Sequence, residues 1–172
     1  MLNLEGTIVM AHGAGGRASH QLIHDLFHRH LANSVLNQGD DGGLIAVGAS
    51  APATGEWVMT TDAHVVSPLF FPGGNIGSLS VHGTLNDLAM MGATPVALTA
   101  AFILEEGLSL QHLDTIVAAM AAACRKTNVT IVAGDTKVVE RGKGDGIFIT
   151  TTGLGRRLPG VHCSGSNAKP GD

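Results

Sequence analysis

The sequence has 172 residues, 44% hydrophobic and 14% charged, with a net charge of −4, so it is long and apolar enough to form a folded core. Aromatic residues make up 3%, tyrosine is absent and no basic run occurs, which argues against a nucleic-acid-binding surface. The longest apolar stretch, 95–104, is about half the length of a membrane helix, and residues 1–5 lack a basic leader, so we expect a cytoplasmic protein that does not span a membrane.

The apolar residues alternate between strand-like and helical spacing. In chain order they predict a strand at 7–10, a helix at 17–36, strands at 44–47 and 56–61, a helix at 76–91, a strand at 96–104, a helix at 110–127 and strands at 130–133 and 146–154. Ser109 is the expected N-cap of the last helix, and Gly92 the expected C-cap of the one before it. This order predicts an α/β or α+β fold, with helices packed on a mainly antiparallel or mixed sheet.

Four aspartates recur beside glycines or small residues: Asp41, Asp62, Asp87 and Asp135. Carboxylates placed near glycine-rich loops suit Mg²⁺ held against nucleotide phosphates. Each aspartate taken alone is also a common turn former or helix cap. Asp87 fits that alternative least, because Asn86 and Asp87 interrupt an otherwise apolar helix in which both are poor helix formers.

Other polar residues leave two interpretations open. No Walker or Gly-x-Gly-x-x-Gly motif is present, so a nucleotide site would belong to another class. Lys137 is the best-placed cation for such a site, but it could equally be an exposed lysine on a strand. His20, His24 and His28 have the spacing of a metal-binding helix face, although a solvated face is the simpler explanation. His12 opens a glycine loop, where it could contact substrate or cap a turn.

Several of these motifs resemble a known superfamily. Residues 83–95 (GTLNDLAMMGATP) are similar to the Asn-Asp helix of the aminoimidazole-ribonucleotide synthetase superfamily, and residues 39–43 (GDDGG) and 60–62 (TTD) resemble its metal motifs. Four further segments resemble the HypE family of hydrogenase-maturation enzymes within it. They are residues 11–16 (AHGAGG), 68–77 (PLFFPGGNIG), 102–107 (FILEEG) and 134–139 (GDTKVV).

The resemblance implies a fold, a site and a reaction. The fold is the amino-terminal α/β domain, a mixed sheet with helices on one face that forms a β-barrel at a homodimer interface. The enzyme is an ATP-dependent carbamoyl dehydratase, which converts a thiocarboxamide on a carboxy-terminal cysteine to a thiocyanate, the source of cyanide for [NiFe] hydrogenase. The resemblance assigns Mg²⁺ to Asp41, Asp62, Asp87 and Asp135, nucleotide contacts to Gly73, Gly74, Asn75, Asn86, Gly134 and Thr136, and catalytic roles to Lys137 and His12.

The resemblance also implies partners and boundaries. The partners are the carbamoyltransferase HypF, the HypC–HypD complex and a second copy of the chain. We expect residues 1–160 to form the ATP-binding and dimerisation domain, and 161–172 to begin a linker to a carboxy-terminal domain outside this chain, so the fragment alone should be inactive. Two alternatives remain: a sister phosphotransferase such as a thiamine-monophosphate kinase, and a non-catalytic dimerisation module for maturation partners.

Overall fold

The computed structural model describes residues 11, 14–27, 30, 34, 36–45 and 56–171. The chain divides into two compact units, Met1–Asp40 and Asp41–Asp172. The predicted strand at 7–10 and His12 lie outside the described residues. The predicted domain boundary at 160 stays a prediction.

The first unit contains helix α1 (Arg17–Leu22), a π-helical segment (Ile23–Phe27) and a 3₁₀ turn (Leu36–Gln38). The prediction of one regular helix over 17–36 is therefore wrong where the chain is described. A physical reason lies in the composition, because this segment contains four histidines together with one aspartate and one asparagine, all weak helix formers.

The second unit is built on a five-stranded mixed sheet with the order β1-β2-β7-β5-β6. Its strands are β1 (Gly43–Ile45), β2 (Trp57–His64), β5 (Ala93–Glu105), β6 (Thr130–Val139) and β7 (Ile147–Arg157). All neighbouring pairs are antiparallel except β5 and β6, which are parallel. The predicted mixed sheet is confirmed, and it does not close on itself among the described strands.

Several strands are longer than the sequence predicted. Strand β2 continues past Asp62 to His64, and β6 continues past Asp135 to Val139. The prediction that both carboxylates follow the ends of strands is therefore wrong. Pairing explains the difference, because β2 is matched along its length by β7, and β6 by β5. These ladder hydrogen bonds outweigh the low strand propensity of glycine and aspartate.

Two helices cover one face of this sheet. Helix α2 (Ile76–Met90) packs across β2, β7 and β5, and α3 (Leu110–Thr127) packs against α2. Between them they bury a core that includes Val81, Leu88, Leu98, Ile116, Met120, Ile147 and Ile149. Within the described range, no helix is long and apolar enough to cross a bilayer.

Local signals position helix α2. A hairpin, β3 (Phe70–Phe71) and β4 (Gly74–Asn75), precedes the helix, and its turn uses Gly73 at φ +93°. Asn75 then caps the helix by accepting hydrogen bonds from the backbone amides of its first turn. The C-cap is Met91, and Gly92, predicted as the C-cap, is the next residue, at φ +66°, where its amide donates to the Ala89 carbonyl.

Candidate functional site

Three of the four predicted metal-binding aspartates lie near one another in the second unit. Asp87 projects from α2, Asp62 from β2, and Asp41 precedes β1. Thr60 links two of these segments, because its hydroxyl lies 2.8 Å from the Asp41 carbonyl oxygen and 3.1 Å from Asp87 Oδ2. A loop, a strand and a helix therefore bring carboxylates to one place.

Electrostatics at this place disfavour charge on Asp87. Its pKa is raised, chiefly because burial removes water from the carboxylate, and also because Asp62 and Asp41 carry like charge. The Thr60 hydroxyl and the His64 ring oppose this rise in pKa. A bound cation would relieve the same repulsion, as expected of a group of carboxylates that receives a metal ion.

A buried polar network lies beneath Asp62. His64 Nε2 is 3.5 Å from Asp62 Oδ2 and 3.2 Å from Thr151 Oγ1. The side chain of His64 is 6% exposed and that of Asp62 is 40% exposed, so the network runs from the core toward the surface. Burial lowers the pKa of His64, against the opposing attraction of Asp62 and Asp87.

Gly83 is the reason that α2 can approach this network. A Cβ atom at this position would lie 2.7 Å from His64 Cε1 and 3.0 Å from Asp62 Oδ2. Both distances are shorter than van der Waals contact, so any side chain at Gly83 would displace the imidazole or the carboxylate. A helix with a glycine here can therefore place Asp87 beside Asp62.

Asp135 and Lys137 occupy a different part of the sheet. The register pairs Asp62 with Thr151, Thr151 with Ala100, and Ala100 with Gly134. Since paired residues share a face and successive residues alternate, Asp135 lies on the face opposite the helices, three strands from Asp62 or about 14 Å. Lys137 Nζ contacts Asp135 Oδ2 at 2.6 Å, with both side chains largely exposed, and this pairing lowers the pKa of Asp135.

The predicted nucleotide-binding residues are distributed over three places. Gly73, Gly74 and Asn75 form the hairpin and the start of α2, where Asn75 is buried and its side-chain oxygen caps the helix. Asn86 is exposed on α2, whereas Gly134 and Thr136 lie exposed on β6. These roles stay predictions, because the cap already accounts for Asn75 and no contact among the described residues points to a nucleotide at the others.

The donor set fits Mg²⁺ better than a softer metal. Among the described residues, no group of three or more His, Cys, Asp or Glu side chains could by itself hold a metal ion. Magnesium usually takes only one or two carboxylates and completes its octahedron with water and phosphate oxygens. Asp62 and Asp87, with Asp41 close by, match that requirement, whereas a structural zinc site would need four protein ligands.

The sequence reasoning gave no individual role to His64, Thr60, Thr84, Thr151 or Gly83, although Thr60 lies in the segment 60–62 and Gly83 and Thr84 lie in the segment 83–95. Two signals pointed to some of them: the segments 60–62 and 83–95 that resemble the superfamily, and the alternation of β2, which puts residues 58, 60, 62 and 64 on one face. Recognising the rest requires the register between β2 and β7, which strands distant in sequence determine together.

Comparisons with protein families and with curated proteins point to the same family. The family model for AIR synthase related protein, N-terminal domain, matches residues 39–157. The carbamoyl dehydratase HypE of Cupriavidus necator is 59% identical over 172 residues, covering 99% of this chain and 48% of that protein. The chain thus spans about half the length of the curated relatives it matches.

Two solved structures extend the likeness to the fold. A HypE–HypF complex matches with a TM-score of 0.79 and 47% identity, covering 87% of this chain and 47% of that one. A structure of the hydrogenase maturation protein HypE in complex with ATP matches with a TM-score of 0.67 and 49% identity, covering 96% and 48%.

Proposed function

Because the chain belongs to the AIR synthase related proteins, as an N-terminal domain of that family, we propose that it is the ATP-binding portion of a HypE-type carbamoyl dehydratase. Its identity to proteins named carbamoyl dehydratase HypE supports the reaction class, and the HypE structure with ATP supports the nucleotide. The observation that carries the proposal in this chain is that the charges of Asp62 and Asp41 act on the Asp87 carboxylate, which the Thr60 hydroxyl links to the backbone carbonyl of Asp41.

The carboxylates of Asp62 and Asp87, with Asp41 beside them, would hold Mg²⁺ against the ATP phosphates. When bound, the ion supplies positive charge that offsets the negative charge developing on the transferring phosphoryl group. Thr60 fixes the Asp87 carboxylate relative to the loop at Asp41. Asp87 would be sensitive to the ion, because burial and the neighbouring carboxylates disfavour its charge without one.

The proposed reaction needs ATP because an amide oxygen is a poor leaving group. The γ-phosphoryl group transfers from ATP to the oxygen of the thiocarboxamide and ADP leaves, while one N–H proton is lost as the C=N bond forms. The C–O bond then breaks, inorganic phosphate departs, and loss of the second N–H proton gives the thiocyanate. The balanced products are thiocyanate, ADP and phosphate. Lys137 is the candidate base for an N–H proton, and His12 a second candidate group.

A second copy of the chain would bring the two halves of the site together. Asp135 and Lys137 lie on the open face of the sheet, away from the helices that carry Asp87. Met59 and Ile103 are each 44% exposed on that same open face. A homodimer in which two such faces form a β-barrel would cover these apolar residues and would give Lys137 a place beside the nucleotide of the partner.

The full proposal places this chain in the cytoplasm as one part of hydrogenase maturation. It would accept a carbamoyl group from HypF, which the HypE–HypF structure supports, and would deliver cyanide through a HypC–HypD complex. The rival thiamine-monophosphate-kinase-like activity is disfavoured by the 59% identity to a carbamoyl dehydratase. The rival dimerisation module without catalysis is tested by nucleotide binding.

The experiment combines binding and chemistry. We expect Mg·ATP to bind to the wild-type chain by isothermal titration calorimetry, and Asp87→Asn to abolish this binding without changing the mass measured by light scattering. Asp114→Asn, an exposed aspartate on α3, is the matched control and should bind as the wild type does. In the intact carbamoylated protein, ATP should then cause the loss of one water by mass spectrometry. Persistence of the carbamoyl adduct would refute the reaction.

A further inference from the structure

We propose that His64 is a positioning residue whose Nε2–H group holds the Asp62 carboxylate in place for the metal ion. The imidazole lies between Thr151 Oγ1 at 3.2 Å and Asp62 Oδ2 at 3.5 Å. This inference deepens the proposed function and rests on it for the identity of the ligand. The orientation of the histidine, however, follows from the chain alone.

The direction of the hydrogen bonds determines which nitrogen carries the proton. The Thr151 hydroxyl donates its single proton to the Ser80 carbonyl oxygen at 2.9 Å. Thr84 lies 2.5 Å from the same hydroxyl oxygen and must therefore be the donor. The remaining neighbour, His64 Nε2, must also donate, because Thr151 has no second proton to give.

Asp62 Oδ2 lies 3.5 Å from the same nitrogen, a separation at which the attraction is mainly electrostatic. An unprotonated Nε2 would direct its lone pair at both the Thr151 oxygen and the Asp62 oxygen, which is repulsive. A protonated Nε2 is attracted to both acceptors. The three threonine and serine groups beneath the ring therefore select the tautomer, and the tautomer restrains Asp62.

Packing leaves the imidazole little freedom to take another orientation. His64 is buried, and its Cε1 atom lies where a side chain on Gly83 would be. Thr84 and Thr151 are fully buried and belong to α2 and β7. The ring is thus held between a helix and a strand, with Nε2 hydrogen-bonded to Thr151 and 3.5 Å from Asp62 Oδ2.

A purely structural histidine would fill the same space without acting on the carboxylate. The difference is measurable in the ring itself, because the nitrogen shifts of an isotope-labelled histidine identify the tautomer. We expect His64 to carry its proton on Nε2, and Asp62→Asn to move the Nε2–H resonance. A proton on Nδ1 alone, or an unchanged resonance in Asp62→Asn, would overturn the inference whether or not nucleotide binds.

Substitutions then test the consequence for metal binding. Removing a group that orients a metal ligand typically lowers metal affinity about 10- to 100-fold. We expect that loss of Mg·ATP affinity in His64→Leu, and recovery to within about threefold of the wild type in His64→Gln, whose amide can still donate. His82→Leu, at an exposed histidine on α2, should bind as the wild type does.

A third variant covers the case in which His64→Leu fails to fold. Thr151→Val keeps the volume of the side chain but removes the acceptor that selects the tautomer, so it should lower Mg·ATP affinity and redistribute the His64 proton between the two nitrogens. Equal affinity in the wild type, His64→Leu and Thr151→Val would overturn the inference. Absence of binding in the wild type would instead refute the proposed function, and the tautomer would remain to be judged from its resonances.

Discussion

The substitution Asp87→Asn should make the second unit more stable while removing its metal binding. Asp87 is half-buried beside Asp62 and Asp41, and these surroundings raise its pKa. Asparagine has nearly the same shape and can still accept the hydrogen bond from Thr60, but it carries no charge. The variant therefore loses an unfavourable ionisation and keeps the local packing.

The size of the gain follows from the partial burial of this carboxylate. Removing such a strained functional charge commonly stabilises a protein by about 0.5–2 kcal/mol, and solvent screening of a half-buried group favours the lower end, about 0.5–1 kcal/mol. For a chain of about this length each kcal/mol raises the melting temperature by about 2–4 °C. The expected rise is therefore about 1–4 °C at pH 7 without nucleotide.

The stability difference between Asp87→Asn and the wild type should depend on pH, and the raised pKa of Asp87 determines the direction of this dependence. A carboxyl group with a raised pKa in the folded state binds its proton more tightly there than in the unfolded chain. Its contribution to stability is complete below about pH 4, the unfolded pKa, and is lost as the pH rises through the folded pKa. The advantage of Asp87→Asn should therefore disappear at low pH and be constant above the folded pKa.

Calorimetric melting of the wild type and Asp87→Asn from pH 3 to pH 8 measures this difference, with Asp114→Asn as the control for a generic loss of negative charge. Saturating Mg·ATP should reverse the order, because it stabilises only the protein that binds it. Equal or lower stability of Asp87→Asn at pH 7, with the control unchanged, would refute the argument from repulsion and burial.

Three further predictions concern other parts of the second unit. Gly83→Ala should lower the melting temperature and the Mg·ATP affinity, because the added methyl group would overlap the imidazole and the carboxylate on β2. This is the opposite of the usual effect of alanine, which stabilises a helix by about 0.5–1 kcal/mol relative to glycine. A higher melting temperature of the variant would contradict the prediction. Gly77→Ala should lower the free energy of unfolding by about 1–3 kcal/mol, because its Cβ would overlap the Ile116 carbonyl oxygen on α3. A urea unfolding titration measures this loss. An unchanged midpoint would show that α2 and α3 can move apart without loss of stability. Glu105→Gln should speed amide hydrogen exchange in the loop between β6 and β7, because two backbone amides of that loop donate to this carboxylate and lower its pKa. The stabilisation by Glu105 is present above the unfolded pKa and is lost as the pH falls through the folded pKa, so wild-type exchange should approach the variant only in acid.

The sequence by itself determined the helices and the sheet class of the second unit. The predicted helices at 76–91 and 110–127 differ from α2 and α3 by at most one residue, because apolar spacing and the terminal signals at Gly92 and Ser109 are local. Ser109 occupies the predicted N-cap position, although its side chain makes no capping hydrogen bond. The family resemblance is confirmed by the match over residues 39–157.

Only the tertiary structure decided the ends of the strands and the composition of the site. The continuation of β6 through Asp135 depends on β5, and the contact of His64 with Thr151 depends on β7, a strand that lies about 90 residues later in the sequence. Strand register is a long-range property, so no local pattern could show that Asp135 and Lys137 point away from Asp62 and Asp87. The sequence therefore identifies the candidate carboxylates, whereas the pairing of distant strands determines which of them lie close together.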